Sequence, residues 1–84
     1  MTVEIYTKVN CHFCWRAKQL LTSKGVQFTE IAVDRGGADK DTMVQRARGR
    51  TTVPQIFIGD QHIGGCDDLI ALERAGKLDA MITA

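Results

Sequence analysis

The sequence contains no long hydrophobic run and no excess of charge of either sign. No apolar stretch approaches the roughly 18 residues needed to cross a bilayer, so no transmembrane helix is predicted. Lysine and arginine total 11 against 10 aspartate and glutamate residues, and this balance argues against nucleic acid as a partner. The N-terminus lacks a basic stretch followed by an apolar segment. We therefore expect no secretory leader, no membrane association and a cytoplasmic location.

Cysteine and proline are also scarce. The chain has three cysteines, an odd number that a disulfide framework would not leave, and structural disulfides are rare in the cytosol. The single proline, Pro54, opens an apolar strand, where its missing N–H breaks no ladder bond. A length of 84 residues predicts one domain, spanning 1–84. The cysteines are therefore expected to do redox or metal chemistry rather than to cross-link the fold.

Hydrophobic spacing predicts the element order βαβαββα. Alternating apolar residues predict strands, and a period of 3.6 predicts helices. The predicted strands cover 3–6, 26–33, 55–58 and 61–63, and the predicted helices cover 11–24, 39–48 and 66–75, with a short helical turn after residue 77. A strand–helix–strand unit implies a right-handed parallel crossover, and Gly59-Asp60 predicts a hairpin turn. We therefore predict an α/β fold with a four-stranded mixed sheet and helices on both faces.

The most informative motif is Cys11-His12-Phe13-Cys14, a C-x-x-C at the start of the first predicted helix. A helix N-terminus carries partial positive charge and free N–H groups, which favour a thiolate. Cys11 lies at the helix start and is expected to be exposed, whereas Cys14 lies one turn further and is expected to be buried. Cys11 is therefore the predicted nucleophile and Cys14 the predicted resolving thiol.

Metal binding competes with the redox interpretation, because a thiolate is also a metal ligand. A mononuclear zinc site could use Cys11, Cys14, Cys66 and a histidine. The spacing of these residues is poor compared with the paired C-x-x-C motifs of zinc sites. A C-x-x-C beside a βαβ pattern in a cytosolic chain favours redox chemistry.

Four segments together resemble a glutaredoxin of the dithiol, bacterial type. They are Val3-Glu4-Ile5-Tyr6-Thr7-Lys8, Cys11-x-x-Cys14, Thr52-Val53-Pro54 and Gly64-Gly65-Cys66-Asp67-Asp68. The resemblance implies a thioredoxin fold, a cis Val53–Pro54 bond, and reduction of protein disulfides and glutathione mixed disulfides with glutathione as electron donor. The implied partners are glutathione and disulfide-containing or glutathionylated proteins. The protein is expected to be a monomer with no tightly bound cofactor and no metal.

The resemblance also implies a glutathione site. Its glycyl carboxylate would lie near Lys8, its cysteinyl portion would pair with the backbone of Val53, and Phe13 would form an apolar wall beside the sulfur. The γ-glutamyl end would meet the N-terminus of the third helix, with Asp67 near its ammonium group. Asp67 could also cap that helix. The remaining residues implied at the site are Thr52, Pro54, Gly65 and Cys66.

The dipeptide between the cysteines departs from the Pro-Tyr usual in this family. His12 replaces the proline and adds a titratable cation beside Cys11, which would favour the thiolate and tune the redox couple. Some glutaredoxins without that proline hold a [2Fe–2S] cluster between two monomers. In such dimers, the nucleophilic cysteines and two glutathiones supply four thiolates. A cluster-binding dimer that uses Cys11 and glutathione is therefore the alternative function.

Overall fold

A computed structural model describes residues 1–83. The chain forms four strands and four helices in the order β1, α1, β2, α2, β3, β4, α3, α4. The strands are β1 (Val3–Thr7), β2 (Thr29–Ala32), β3 (Gln55–Ile58) and β4 (Gln61–Gly64). The helices are α1 (His12–Ser23), α2 (Gly37–Arg46), α3 (Cys66–Arg74) and α4 (Leu78–Thr83).

The four strands form one mixed sheet in the order β2-β1-β3-β4. β1 runs parallel to β2, with Glu4 opposite Thr29, and antiparallel to β3, with Ile5 opposite Ile56. β3 and β4 form the predicted hairpin. The βαβ unit therefore joins the hairpin through the pairing of β1 with β3, and the loop after β1 lies beside the loop before β3.

Apolar side chains form a core on each face of the sheet. One face packs against α1, α3 and α4 through residues that include Ile5, Leu21 and Leu69. The other face packs against α2, where Met43 and Ala47 meet Phe57. The predicted mixed sheet with helices on both faces is confirmed. No helix among residues 1–83 is long and apolar enough to cross a membrane.

Two predicted boundaries were wrong. The second strand begins at Thr29 rather than Val26, because 26–28 packs its apolar side chains on the core without pairing with β1. α2 covers 37–46 instead of 39–48. It ends early because Arg48 and Gly49 both adopt positive φ, and the Gly49 N–H closes the helix by donating to the carbonyl of Val44 at 2.8 Å.

Candidate active site

Cys11 and Cys14 are joined by a disulfide at the start of α1, with their Cα atoms 5.2 Å apart. Cys11 is the N-cap residue in an extended conformation, and its sulfur accepts a hydrogen bond from the backbone N–H of Cys14 at 3.2 Å. Cys14 is only 2% exposed, while Cys11, predicted to be exposed, is half-buried. The accessible sulfur is therefore also the sulfur that the helix N-terminus contacts.

The loop that precedes β3 lies against Cys11. The carbonyl oxygen of Val53 is 4.0 Å from the Cys11 Sγ. The Val53–Pro54 bond is cis, as the resemblance implied. Val53 is half-buried and Pro54 is buried. This loop therefore presents backbone polar groups beside the reactive disulfide.

A first groove, of about 140 Å³, lies on one side of this loop. It is lined by Phe13, Val53, Pro54, Cys66 and Asp67. All five were predicted at one site from segments far apart in the sequence, and the fold brings them together. Phe13 is 51% exposed, so its ring forms an open wall rather than part of the core.

A second groove, of about 370 Å³, lies on the other side of Val53. Its lining includes two lysines, Lys8 and Lys40, together with Thr51, Thr52 and Val53. Lys8 and Thr52 were predicted at the site, whereas Lys40 was not. No sequence motif marks Lys40, because its place beside Lys8 depends on how α2 packs over the sheet.

The N-terminus of α3 is capped by Asp68 and not by Asp67. The N-cap residue is Gly65, and its backbone N–H donates to the Asp68 carboxylate at 2.8 Å. Arg50 donates to the same carboxylate at 3.3 Å. The capping role considered for Asp67 was therefore wrong, and Asp67 remains exposed at the first groove. Gly65 also lies close to the carbonyl of Pro54, since a Cβ built on it would be 3.5 Å from that oxygen.

The third cysteine, Cys66, is a free thiol at the start of α3 and is 4% exposed. Burial raises the pKa of the Cys66 thiol above its ordinary value, although Arg16 acts in the opposite direction. Cys66 is thus a protonated thiol at neutral pH. Cys66 lies in the wall of the first groove, and its contact with glutathione stays a prediction.

His12 and Trp15 form an aromatic pair on the outer face of α1. Their ring centroids lie 6.0 Å apart with nearly parallel planes, and the Phe13 ring stands edge-on to His12 at 5.8 Å. Trp15 is 56% exposed. His12 thus has two aromatic neighbours and is itself exposed. The tuning role of His12 stays a prediction.

A third groove, of about 590 Å³, also reaches Cys11 and Cys14. Its other lining residues include Trp15, Lys18 and Glu30. The hydroxyl of buried Thr7 donates to the Glu30 carboxylate at 2.6 Å, and Lys18 donates to the same oxygen at 3.0 Å. These bonds lower the pKa of Glu30, the Thr7 bond most strongly.

Within residues 1–83, no three His, Cys, Asp or Glu side chains are placed to hold a metal ion.

Comparison with known proteins gives consistent results. Residues 3–63 match the family model for Glutaredoxin. Glutaredoxin 3 of Escherichia coli (strain K12) is 59% identical over 80 residues, which cover 95% of each chain. The solution structure of glutaredoxin from Brucella melitensis has a TM-score of 0.84 and 50% identity, covering 98% of this chain and 88% of that one.

A structure that contains a ligand also matches. The crystal structure of the buckwheat glutaredoxin–glutathione complex has a TM-score of 0.86 and 36% identity, covering 96% of this chain and 76% of that one. The four-stranded mixed sheet with flanking helices is accordingly the thioredoxin fold. With a family match over most of its length and a disulfide-bonded C-x-x-C at the start of α1, the chain belongs to the glutaredoxin family.

Proposed function

We propose that this thiol–disulfide oxidoreductase takes its electrons from glutathione and acts on glutathionylated proteins and on protein disulfides, as one domain spanning the chain. The observation that carries the proposal is the half-buried Cys11 sulfur at the start of α1, paired with the buried Cys14 and lying 4.0 Å from the backbone of Val53. The buckwheat relative, whose structure is described as a glutathione complex, supports the choice of electron donor.

The reaction begins with the reduced enzyme. The Cys11 thiolate attacks the glutathione sulfur of a protein–glutathione disulfide, which forms a Cys11–glutathione disulfide and releases the protein thiolate. A second glutathione thiolate then attacks the bound glutathione sulfur, which gives oxidised glutathione and restores the Cys11 thiolate. The backbone N–H of Cys14, 3.2 Å from Cys11 Sγ in the disulfide form, is placed to stabilise that thiolate.

Protein disulfides require both cysteines. Cys11 attacks one sulfur of the substrate and forms a mixed disulfide, and the Cys14 thiolate then attacks Cys11, which releases the fully reduced substrate. The product is the Cys11–Cys14 disulfide, and two glutathiones reduce it to the dithiol and become oxidised glutathione. Burial of Cys14 suits this role, because a buried thiol meets its neighbour on α1 more readily than an outside substrate.

The two grooves beside Val53 suit the two ends of glutathione. In the second groove, Lys8 and Lys40 provide positive charge for the glycyl carboxylate. In the first groove, the N-terminus of α3 provides free N–H groups for the γ-glutamyl carboxylate, and Asp67 provides a negative charge for its ammonium group. Val53 lines both grooves, which supports pairing of its backbone N–H and C=O with the cysteinyl portion between them.

Substitution of each cysteine in turn tests the proposal. With a glutathionylated peptide, glutathione, glutathione reductase and NADPH, Cys11→Ser is expected to lose turnover completely. Cys14→Ser is expected to retain turnover of the glutathionylated peptide and to lose most activity on a protein disulfide. Cys66→Ser removes the third thiol from the wall of the first groove and is expected to retain the kcat for both substrates, because the Cys66 sulfur takes no part in the exchange. Substantial turnover by Cys11→Ser would contradict the assignment of the nucleophile.

A further inference from the structure

We propose that Gln55 and His62 are positioning residues that fix the direction of the Val53 backbone N–H toward glutathione. Neither residue touches the reacting sulfurs. The inference rests on the proposed function, since it concerns the loop to which glutathione would bind. It follows from a chain of hydrogen bonds that connects the β3–β4 hairpin to this loop.

Gln55 is a fully buried amide at the start of β3, with 0% of its surface exposed. Its Nε2 donates to the carbonyl oxygen of Thr52 at 3.0 Å and lies 3.3 Å from the Thr52 hydroxyl oxygen. Its Oε1 lies 2.7 Å from the Nε2 of His62. Every polar group of this buried amide therefore has a partner, as burial requires.

Chemistry fixes the direction of each bond. A carbonyl oxygen can only accept, so the side of the Gln55 amide that faces Thr52 O is the NH₂ group. The Gln55 oxygen consequently faces His62, and an amide oxygen can only accept as well. The proton therefore lies on Nε2 of His62. His62 donates to Gln55, and Gln55 donates to Thr52.

His62 is held in this orientation by packing. Its ring stacks on Phe57 with a centroid distance of 4.9 Å and an interplanar angle of 25°. Arg46 in turn lies 4.0 Å from the Phe57 centroid and is paired with Glu4 at 3.0 Å. The His62 imidazole therefore stacks on the Phe57 ring, and Arg46 of α2, paired with Glu4 of β1, packs against that ring.

The consequence for the site follows from the planarity of the peptide bond. The Thr52 carbonyl and the Val53 N–H belong to the same peptide unit, which is planar, and in its trans form the two groups point in opposite directions. The bond from Gln55 to the Thr52 oxygen therefore sets where the Val53 N–H points. It also polarises that N–H, because a hydrogen bond to the carbonyl strengthens the donor across the amide.

Steady-state kinetics with a glutathionylated peptide test the inference. Gln55→Met removes the amide with little change in length, and His62→Phe keeps the stacked ring but removes the donor. We expect each to raise the KM for the glutathionylated peptide about five- to tenfold with a smaller change in kcat, which is the scale of one lost hydrogen bond. His62→Gln keeps a donor and is expected to restore most of the KM. Gln61→Met, the same change at an exposed position of the hairpin, is the matched control.

Each outcome decides between the two proposals. A wild-type KM in both His62→Phe and Gln55→Met would overturn the positioning role. A KM in His62→Gln as high as in His62→Phe would also overturn it. The hydrogen-bond donor that glutamine retains would then have no effect on the KM. If Gln55→Met fails to fold, the two His62 variants still decide the question. Failure of the wild-type enzyme to turn over the glutathionylated peptide would instead overturn the proposed function.

Discussion

Three cysteines in this chain occupy three different chemical environments. Cys11 is half-buried at a helix N-cap, Cys14 is buried one turn further along the same helix, and Cys66 is buried at the start of another helix. The helix N-terminus contacts only the first of these sulfurs through a hydrogen bond. Position within the fold, rather than residue type, therefore separates the disulfide-forming pair from the buried free thiol of Cys66, and the accessible Cys11 from the buried Cys14.

Cys66 is predicted to react slowly in the folded, oxidised protein. The Cys11–Cys14 disulfide leaves Cys66 as the free thiol, and its burial and raised pKa keep the thiolate fraction very low at neutral pH. Alkylation by iodoacetamide at pH 7.5, followed by mass spectrometry, is expected to be at least about tenfold slower than for a free cysteine. Unfolding in guanidinium chloride is expected to expose one rapidly labelled thiol. Rapid labelling of the native protein would contradict this burial.

Residues whose role depends on a local motif could be predicted from the sequence, and those whose role depends on long-range contacts could not. The C-x-x-C and the Thr52-Val53-Pro54 segment identified the centre of the site. The bond from Gln55 to Thr52 and the place of Lys40 beside Lys8 depend on how distant segments pack. The sequence did contain a signal for the cap of α3, since Asp68 follows Gly65 at the spacing of an N-cap residue and N3. That signal was overlooked.

At the scale of elements, the turn from β4 into α3 connects the sheet to the site. Gly64 has φ of +117°, and a Cβ built there would collide with the Asp68 carboxylate and lie 3.0 Å from Arg50 Nη1. The same carboxylate caps Gly65. Any side chain at 64 therefore displaces the group that holds the N-terminus of α3.

Gly64→Ala is predicted to destabilise the protein more than Gly76→Ala. Both glycines have positive φ, which costs a non-glycine residue about 1–2 kcal/mol, but nothing lies within 4 Å of a Cβ at Gly76. Urea unfolding of the two variants measures the additional loss of free energy at residue 64, which combines the collision with Asp68 and the higher cost to alanine of φ +117° than of the +71° at Gly76. Gly64→Ala is also expected to raise the KM for a glutathionylated peptide, because Asp68 moves away from Gly65. Equal stability of the two variants would show that Asp68 adjusts without cost.

The error at β2 shows where hydrophobic patterns stop being informative about pairing. Val26 and Phe28 pack partly buried against the core, so they carry the same apolar signal as a paired strand. The backbone N–H of Val26 instead donates to the carbonyl of Leu21 at 3.0 Å, which ties this segment to the end of α1. Burial of side chains and hydrogen bonding of the backbone are separate properties, and a sequence pattern reports only the first.

At the scale of the whole molecule, two groups on opposite edge strands of the sheet, His62 on β4 and Glu30 on β2, make stability depend on pH. Burial, and then the positive charge of Arg50, lower the pKa of His62 below its ordinary value of 6.5. The hydroxyl of Thr7, and then Lys18, lower the pKa of Glu30 below its ordinary value of 4.5. The folded state therefore binds fewer protons than the unfolded state in two separate pH ranges.

The free energy of unfolding is predicted to fall in two steps as the pH is lowered from 7.5. Below pH 6.5 His62 becomes protonated in the unfolded chain but stays neutral in the folded protein. The free energy of unfolding therefore declines until the pH falls below the pKa of His62 in the folded protein. Below pH 4.5 the stabilisation from ionised Glu30 is lost in the same way, as the pH falls through its lowered folded pKa. Urea unfolding at intervals from pH 7.5 to 3.5 measures both steps.

His62→Phe is expected to flatten only the first step and Glu30→Gln only the second, so each variant serves as the control for the other. A first step that persists unchanged in His62→Phe would assign that loss of stability to another group.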